Sequence, residues 1–114
     1  MHELGIIYNI IESVEALGTE NSLTKVSSVT LEVGEVSSIV PVFLTDCWKW
    51  AVEKSQLLNG SELKIETIKA VTFCNGCQKT YSTLEHKKIC PYCQSEDTYL
   101  LTGNEVNIKE IEAM

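Results

Sequence analysis

Two Cys-x-x-Cys pairs, separated by twelve residues, are the strongest chemical signal in the sequence. They read Cys74-Asn75-Gly76-Cys77 and Cys90-Pro91-Tyr92-Cys93. Two intervening residues let a tight turn aim both sulfur atoms at one ion, with bonds of about 2.3 Å for zinc. Gly76 and Pro91 suit such turns, since glycine tolerates positive φ and proline fixes its own φ. The spacing predicts one tetrahedral metal site with four thiolate ligands.

The alternatives to a metal site are two disulfides or four free thiols without a ligand, and both are rarer for this pattern. Iron is an alternative to zinc, because a Cys-Pro-x-Cys turn also resembles half of a rubredoxin site, although the pairs are closer together here. We expect a short hairpin between the pairs, with residues 81–83 outbound and 87–89 returning. This hairpin would bring the two turns face to face.

His2 is the second chemically notable residue, because of its position. The terminal amine of Met1, the amide nitrogen of His2 and its ring nitrogen can chelate one ion, and the amide of Glu3 can complete a plane of four nitrogens. Tetragonal nitrogen sites suit Ni(II) or Cu(II). Amides at a helix start lack intrahelical partners, so metallation would disturb the helix little. On position alone, an ordinary surface histidine is the favoured interpretation.

The other histidine and the fifth cysteine have weaker signals. His86 lies between the cysteine pairs, and we expect it at a solvated loop tip; the functional alternative is an auxiliary ligand or pH sensor. Cys47 falls within an apolar helical stripe, which favours a small buried hydrophobe over a reactive thiol.

The hydrophobic pattern predicts the elements that must position these groups. A helix is expected from about residue 3 to Gly18, and a second one opens at Pro41. Alternating residues predict strands around Leu31, from Leu63 to about Val71 with a bulge near residue 67, and from about 105 to 111.

The order of these elements predicts an α+β fold, with two helices on a three-stranded sheet. The cysteine module interrupts the strands as an inserted small zinc-ribbon-like domain. We expect one domain at 1–71 plus 99–114 and a second at 72–98, with the connections at 70–73 and 98–104 acting as a double hinge.

Composition excludes several classes of function. The 114 residues include sixteen acidic and nine basic side chains, for a net charge of −7, and none is arginine. This argues against nucleic-acid binding through phosphate neutralisation. An odd number of cysteines, four in metal spacing, indicates a reducing cytosol. Neither a leader nor a long apolar run is present, so we expect neither export nor membrane insertion.

Together these residues resemble the HypA/HybF family of hydrogenase maturation proteins over essentially the whole chain. The motifs that carry the resemblance are Met1-His2-Glu3-Leu4, Val33-Gly34-Glu35, Pro41, Cys74, Cys77, Cys90-Pro91 and Cys93. The resemblance implies a nickel-binding α+β domain hinged to a zinc domain. It also makes His2 the principal ligand of transiently bound nickel, with the Met1 amine and Glu3 assisting.

The four cysteines become, by the same resemblance, a structural zinc site. The implied partners are the HypB GTPase and the precursor of the [NiFe]-hydrogenase large subunit, and some members of the family serve urease. In some members a histidine directly follows a Cys-x-x-Cys pair and modulates the zinc site. Gln78 and Gln94 hold those positions here.

The function that the resemblance implies is a nickel carrier that delivers the ion to the hydrogenase precursor. An enzymatic function has no support, because the sequence has no phosphate-binding loop and too few histidines for a triad or an open catalytic metal centre. One alternative is a zinc-ribbon interaction module in which His2 has no role. Another is a small redox protein with iron in the cysteine site.

Overall fold

The structure is a computed structural model that describes residues 3–114. Its elements are α1 (Glu3–Glu20), β1 (Val26–Gly34), α2 (Pro41–Ala51), β2 (Glu62–Ile68), β3 (Val71–Cys74), β4 (Thr80–Ser82), α3 (Thr83–His86), β5 (Thr98–Thr102) and β6 (Val106–Ala113). The strands of this part form two three-stranded sheets, ordered β2-β1-β6 and β4-β3-β5. The predicted α+β fold is confirmed, because β3, β4, α3 and β5 are inserted between two strands of the first sheet.

The described chain divides into two compact units. The first contains residues 3–32, Ile39–Glu66 and Asn107–Met114, and the second contains Val33–Ser38 and Thr67–Val106. The assignment of a nickel domain to 1–71 plus 99–114 and a zinc domain to 72–98 stays a prediction. None of the helices formed by residues 3–114 is long and apolar enough to cross a membrane.

The first unit is built around β1 and the two long helices. Its largest fully buried side chains include Ile7 of α1, Leu31 of β1 and Leu44 and Trp48 of α2. The buried indole Nε1–H of Trp48 is satisfied by the carbonyl oxygen and Oγ of Ser61, at 3.2 and 3.1 Å. Pro41 opens α2 as predicted, because its missing N–H costs nothing at a helix start.

Central strand β1 is buried on both faces, although alternation of apolar and polar residues is typical of a strand with one buried face. Ser28 and Thr30 are buried although they alternate with the apolar residues. Ser28 donates a hydrogen bond to the carboxylate of Glu112 on β6, and the same carboxylate pairs with Lys64 Nζ on β2 at 3.0 Å. The long side chains of Lys64 and Glu112, from the two outer strands, therefore cover Ser28.

Helix α1 continues beyond its predicted stop at Gly18 and ends at Glu20. Gly18 is not a C-terminal cap. A Cβ at this position would lie 2.6 Å from Cδ2 of Leu57, so the glycine permits close packing of a neighbouring side chain. Close approach of another segment is the second common use of glycine, and helical periodicity cannot distinguish it from capping.

The region after Leu63 differs most from expectation. One strand with a bulge was predicted to run to about Val71, but the chain leaves the first sheet at Ile68 and starts β3 in the second sheet at Val71. The segments expected as connections at 70–73 and 98–104 largely form β3 and β5, which pair antiparallel. The hairpin predicted between the cysteine pairs is also wrong, since β4 pairs with β3 and α3 follows β4.

Gly34 should be intolerant of any side chain. A Cβ there would lie 2.0 Å from the carbonyl oxygen and 2.2 Å from the carbonyl carbon of Gly103, and backbone cannot move aside as a side chain can. We expect Gly34→Ala to lower the free energy of unfolding by about 2 kcal/mol or more. Gly5→Ala is the control, because a Cβ at this α1 position meets nothing within 4 Å; it should raise stability by about 0.5–1 kcal/mol. Equal effects of the two substitutions in urea unfolding would contradict this packing.

Candidate metal centre

The first cysteine pair lies in a turn that closes on itself through backbone hydrogen bonds. The N–H of Gln78 donates to the carbonyl of Cys74 at 2.8 Å, and the N–H of Cys74 donates to the carbonyl of Lys79 at 2.9 Å. Cys74 is the last residue of β3, so the sheet fixes where this turn begins.

The second pair repeats this arrangement. The N–H of Gln94 donates to the carbonyl of Cys90 at 2.9 Å, and the N–H of Cys90 donates to the carbonyl of Ser95 at 3.0 Å. Positive φ occurs at Gln78 (61°) and Gln94 (66°), the residues that directly follow each pair. The sequence predicted positive φ at Gly76 instead; that glycine gives room, since a Cβ would lie 3.4 Å from Cys93 Sγ.

The two turns bring four sulfur atoms together. All four Sγ atoms of Cys74, Cys77, Cys90 and Cys93 lie within 4.8 Å of one another. The Sγ atoms of Cys74 and Cys93 are 3.6 Å apart, as are those of Cys77 and Cys90. In each of these two short distances, therefore, one sulfur atom belongs to the first turn and the other to the second.

These distances fit a metal site and not disulfides. A tetrahedron with metal–sulfur bonds of about 2.3 Å has edges of about 3.8 Å, close to the observed separations. A disulfide needs an S–S distance of about 2.05 Å, and all five cysteines of the chain are free thiols. The donor set is chemically suited to a soft or borderline divalent ion such as zinc or iron.

The surroundings of the cluster are only partly apolar. Cys74 and Cys90 are fully buried and pack with Tyr81, whereas Cys77 is half-buried and Cys93 is exposed. Tyr81 donates its hydroxyl to the carbonyl of Lys87 at 2.8 Å, which ties the segment after α3 to the cluster. A core this small supplies little hydrophobic stabilisation, so a bound ion would contribute much of the folding energy.

The thiols differ in how readily they ionise. Burial raises the pKa of Cys90, but the backbone N–H groups of Cys93 and Tyr92 outweigh it and lower this pKa to about 7. Burial raises the pKa of Cys77. The N–H of Ser95 lowers the pKa of Cys93, yet the neighbouring thiols and burial together raise it to about 12. Without a cation, the cluster resists holding several thiolates at neutral pH.

The other predicted ligands are placed as follows. His2 and Met1 lie outside the described residues. Glu3 begins α1 and is buried, and its carboxylate accepts a hydrogen bond from the N–H of Val40 at 3.4 Å. His86 ends α3 instead of occupying a loop tip; its exposed ring lies 3.6 Å from the carboxylate of Glu85 and does not join the sulfur cluster. Cys47, predicted to be buried, is half-buried.

The sequence identifies Gln78 and Gln94 as the residues after each pair but does not predict the positive φ by which they shape the site. A signal for them existed, because each Cys-x-x-Cys pair is followed directly by glutamine. This repeated glutamine does not by itself predict positive φ, because glutamine has no intrinsic preference for that conformation. The contribution of Tyr81 had no local signal, since its hydrogen bond to Lys87 depends on the tertiary path of the chain.

Comparisons with known proteins agree on one family. A family model described as hydrogenase/urease nickel incorporation, metallochaperone, hypA matches residues 1–113. The hydrogenase maturation factor HypA of Actinobacillus succinogenes is 32% identical over 111 residues, covering 97% of both chains. The factor of the same name from Rhizobium leguminosarum is 31% identical over 114 residues and covers both chains completely.

Two solved structures share the fold. The solution structure of the nickel metallochaperone HypA from Helicobacter pylori has a TM-score of 0.76 and 22% identity, and the match covers 100% of this chain and 98% of that one. A second solution structure, of a HypA protein, has a TM-score of 0.78 and 22% identity over 100% and 97% of the two chains.

The sulfur cluster should bind one divalent ion per chain. Co(II) is a suitable probe, since tetrahedral thiolate coordination gives intense absorption. We expect Cys90→Ser to weaken Co(II) binding by about a hundredfold, because one of four ligands is lost from a site that contributes about 10–16 kcal/mol. Cys47→Ser is the matched control and should leave the spectrum unchanged. Equal weakening by both substitutions would exclude this cluster as the site.

Metal binding at pH 7 should release protons. The raised pKa values of Cys77 and Cys93 mean that both thiols are protonated in the metal-free protein, whereas the bound ion requires thiolates. Metal affinity should therefore fall as pH falls. Calorimetry in buffers of different ionisation enthalpy measures the released protons, and binding without proton release would contradict these pKa directions.

Proposed function

The chain belongs to the HypA family of hydrogenase/urease nickel-incorporation metallochaperones, and from that membership we propose that it binds Ni(II) at its amino terminus and delivers it to the [NiFe]-hydrogenase large subunit precursor. The observation that carries the proposal is the family match over residues 1–113, which includes the Met-His-Glu start. Relatives matched over nearly their whole length are named hydrogenase maturation factors.

The proposed nickel ligands are the imidazole and amide of His2, the amine of Met1 and, assisting, Glu3. Glu3 is proposed to assist through its backbone amide or its side chain. Its carboxylate already accepts the N–H of Val40 near the start of α2, where negative charge is stabilised by the helix dipole.

The four cysteines are proposed to hold structural zinc. Their sulfur separations match a closed tetrahedral site, which leaves no position for a substrate. Zinc has no redox chemistry, so in this role it stabilises the second unit without reacting. Iron at the same four sulfurs would absorb strongly in the visible region, and a colourless purified protein would exclude it.

Transfer of nickel to another protein requires a site that binds the ion tightly and still leaves it accessible. For this reason we propose a carrier and not an enzyme. Nickel held by a terminal chelate can be passed on ligand by ligand, whereas a buried cage would have to unfold. A HypB-type GTPase and the hydrogenase precursor are the proposed partners, and urease maturation proteins are a second destination consistent with the family description.

The proposed location is the cytoplasm, because five cysteines without a disulfide are typical of a reducing compartment. The nickel-binding part is assigned to residues 1–71 plus 99–114, and the zinc-binding part to 72–98.

Neither nucleic acid nor a membrane is a proposed partner, given the net charge of −7 and the absence of arginine.

A nickel titration tests the proposal directly. Protein with a free amino terminus should bind one Ni(II) tightly. His2→Ala should abolish tight binding, because it removes the imidazole donor and with it the chelate ring that the imidazole forms with the His2 amide nitrogen. Adding one residue before Met1 should have the same effect, since it moves the amine out of the chelate. His86→Ala is the matched control and should bind like the parent.

Lowering the pH should weaken nickel loading, because the terminal amine has a reference pKa of about 7.7–8.0 and must lose its proton to bind. Equal nickel binding by all four proteins would overturn the amino-terminal site and leave a zinc-ribbon interaction module as the better account.

A further inference from the structure

The second unit contains an apolar groove that the metal site does not use. Its volume is about 310 Å³, and its lining is mostly apolar. Thr72 of β3 and Leu100 of β5, which are cross-strand partners, line it together with Val36. Lys87 and Lys88 also line the groove and are exposed. We call it the Lys87–Lys88 groove.

The two lysines at the groove form no ion pair within the described part of the chain. Lys64 and Lys109 pair with carboxylates at 3.0 and 2.7 Å, but no ion pair of residues 3–114 uses Lys87 or Lys88. The chain as a whole is acidic, with sixteen acidic against nine basic side chains. The lining of the groove therefore contains two ammonium groups and no carboxylate, in a protein that is acidic overall.

Lys87 also has a backbone conformation that ordinarily belongs to glycine, with φ 57° and ψ −125°. It is held there by two hydrogen bonds at 2.8 Å, from the Tyr81 hydroxyl to its carbonyl and from its own N–H to the carbonyl of Thr83. A glycine would adopt this conformation without strain. These two hydrogen bonds therefore hold the backbone of Lys87 in place beside the groove.

We propose that the Lys87–Lys88 groove binds an extended segment of a partner protein in which an apolar side chain is flanked by carboxylates. The apolar side chain would contact Leu100 and Val36, and the carboxylates would pair with the two ammonium groups. Charge complementarity selects this partner over a nucleic acid, whose phosphates would be repelled by the rest of the chain.

The test uses the full-length zinc-loaded protein and a short fluorescent peptide in which one leucine is flanked by glutamates. Its anisotropy should rise on binding, and the dissociation constant should increase by about tenfold in the variant Lys87→Gly with Lys88→Gln. Leu100→Thr should weaken binding independently. Lys87→Gly should not lower the stability of the protein, because glycine removes the strain along with the charge.

The matched control is the variant Lys49→Gln with Lys54→Gln, which removes the same charge elsewhere and should bind like the parent. A peptide with glutamine in place of glutamate should bind at least about tenfold more weakly. Zinc content, measured for every variant, verifies that the second unit is intact. Equal peptide binding by the two double variants, or tighter binding of single-stranded DNA than of the acidic peptide through the same lysines, would overturn the proposal.

Discussion

Four thiol groups within 4.8 Å of one another are the constraint on which the second unit depends. Thiolates this close repel one another, and the exposed Cys93 has its pKa raised to about 12 as a result of its neighbours and burial. A bound divalent cation would attract all four thiolates, and this attraction would outweigh their mutual repulsion and stabilise the fold of the second unit. The buried apolar material around it, chiefly Tyr81, is too small to substitute for the ion.

The turns that hold the sulfurs are nearly identical in backbone geometry although their sequences differ. Each closes with an N–H donated to the first cysteine's carbonyl, and each places a glutamine at positive φ. These hydrogen bonds hold the two glutamines at positive φ, although this conformation is unfavourable for a residue with a side chain. By contrast, the first unit is stabilised by an ordinary core in which Trp48 and Leu44 pack without any metal-ligating group. The two units therefore rest on different physical interactions.

How far the sequence predicts this protein depends on how local each signal is. The cysteine spacing, the helix opening at Pro41 and the sheet with an insertion all follow from short-range patterns, and the structure bears out the α+β fold. The division of 62–74 into two strands of different sheets does not follow, because a change of phase near residue 67 fits a bulge within one strand as well as a move to another sheet. Gly18 shows the same limit, since only tertiary packing against Leu57 explains why the helix continues beyond it.

The central claim is that nickel and the sulfur cluster occupy separate sites of different donor type. X-ray absorption at both metal edges, on protein loaded with one equivalent each of nickel and zinc, tests it most directly. The account predicts nickel surrounded by nitrogen donors in a planar geometry, including the imidazole of His2, and zinc surrounded by four sulfurs at about 2.3 Å. Sulfur in the nickel shell, or nitrogen in the zinc shell, would contradict it.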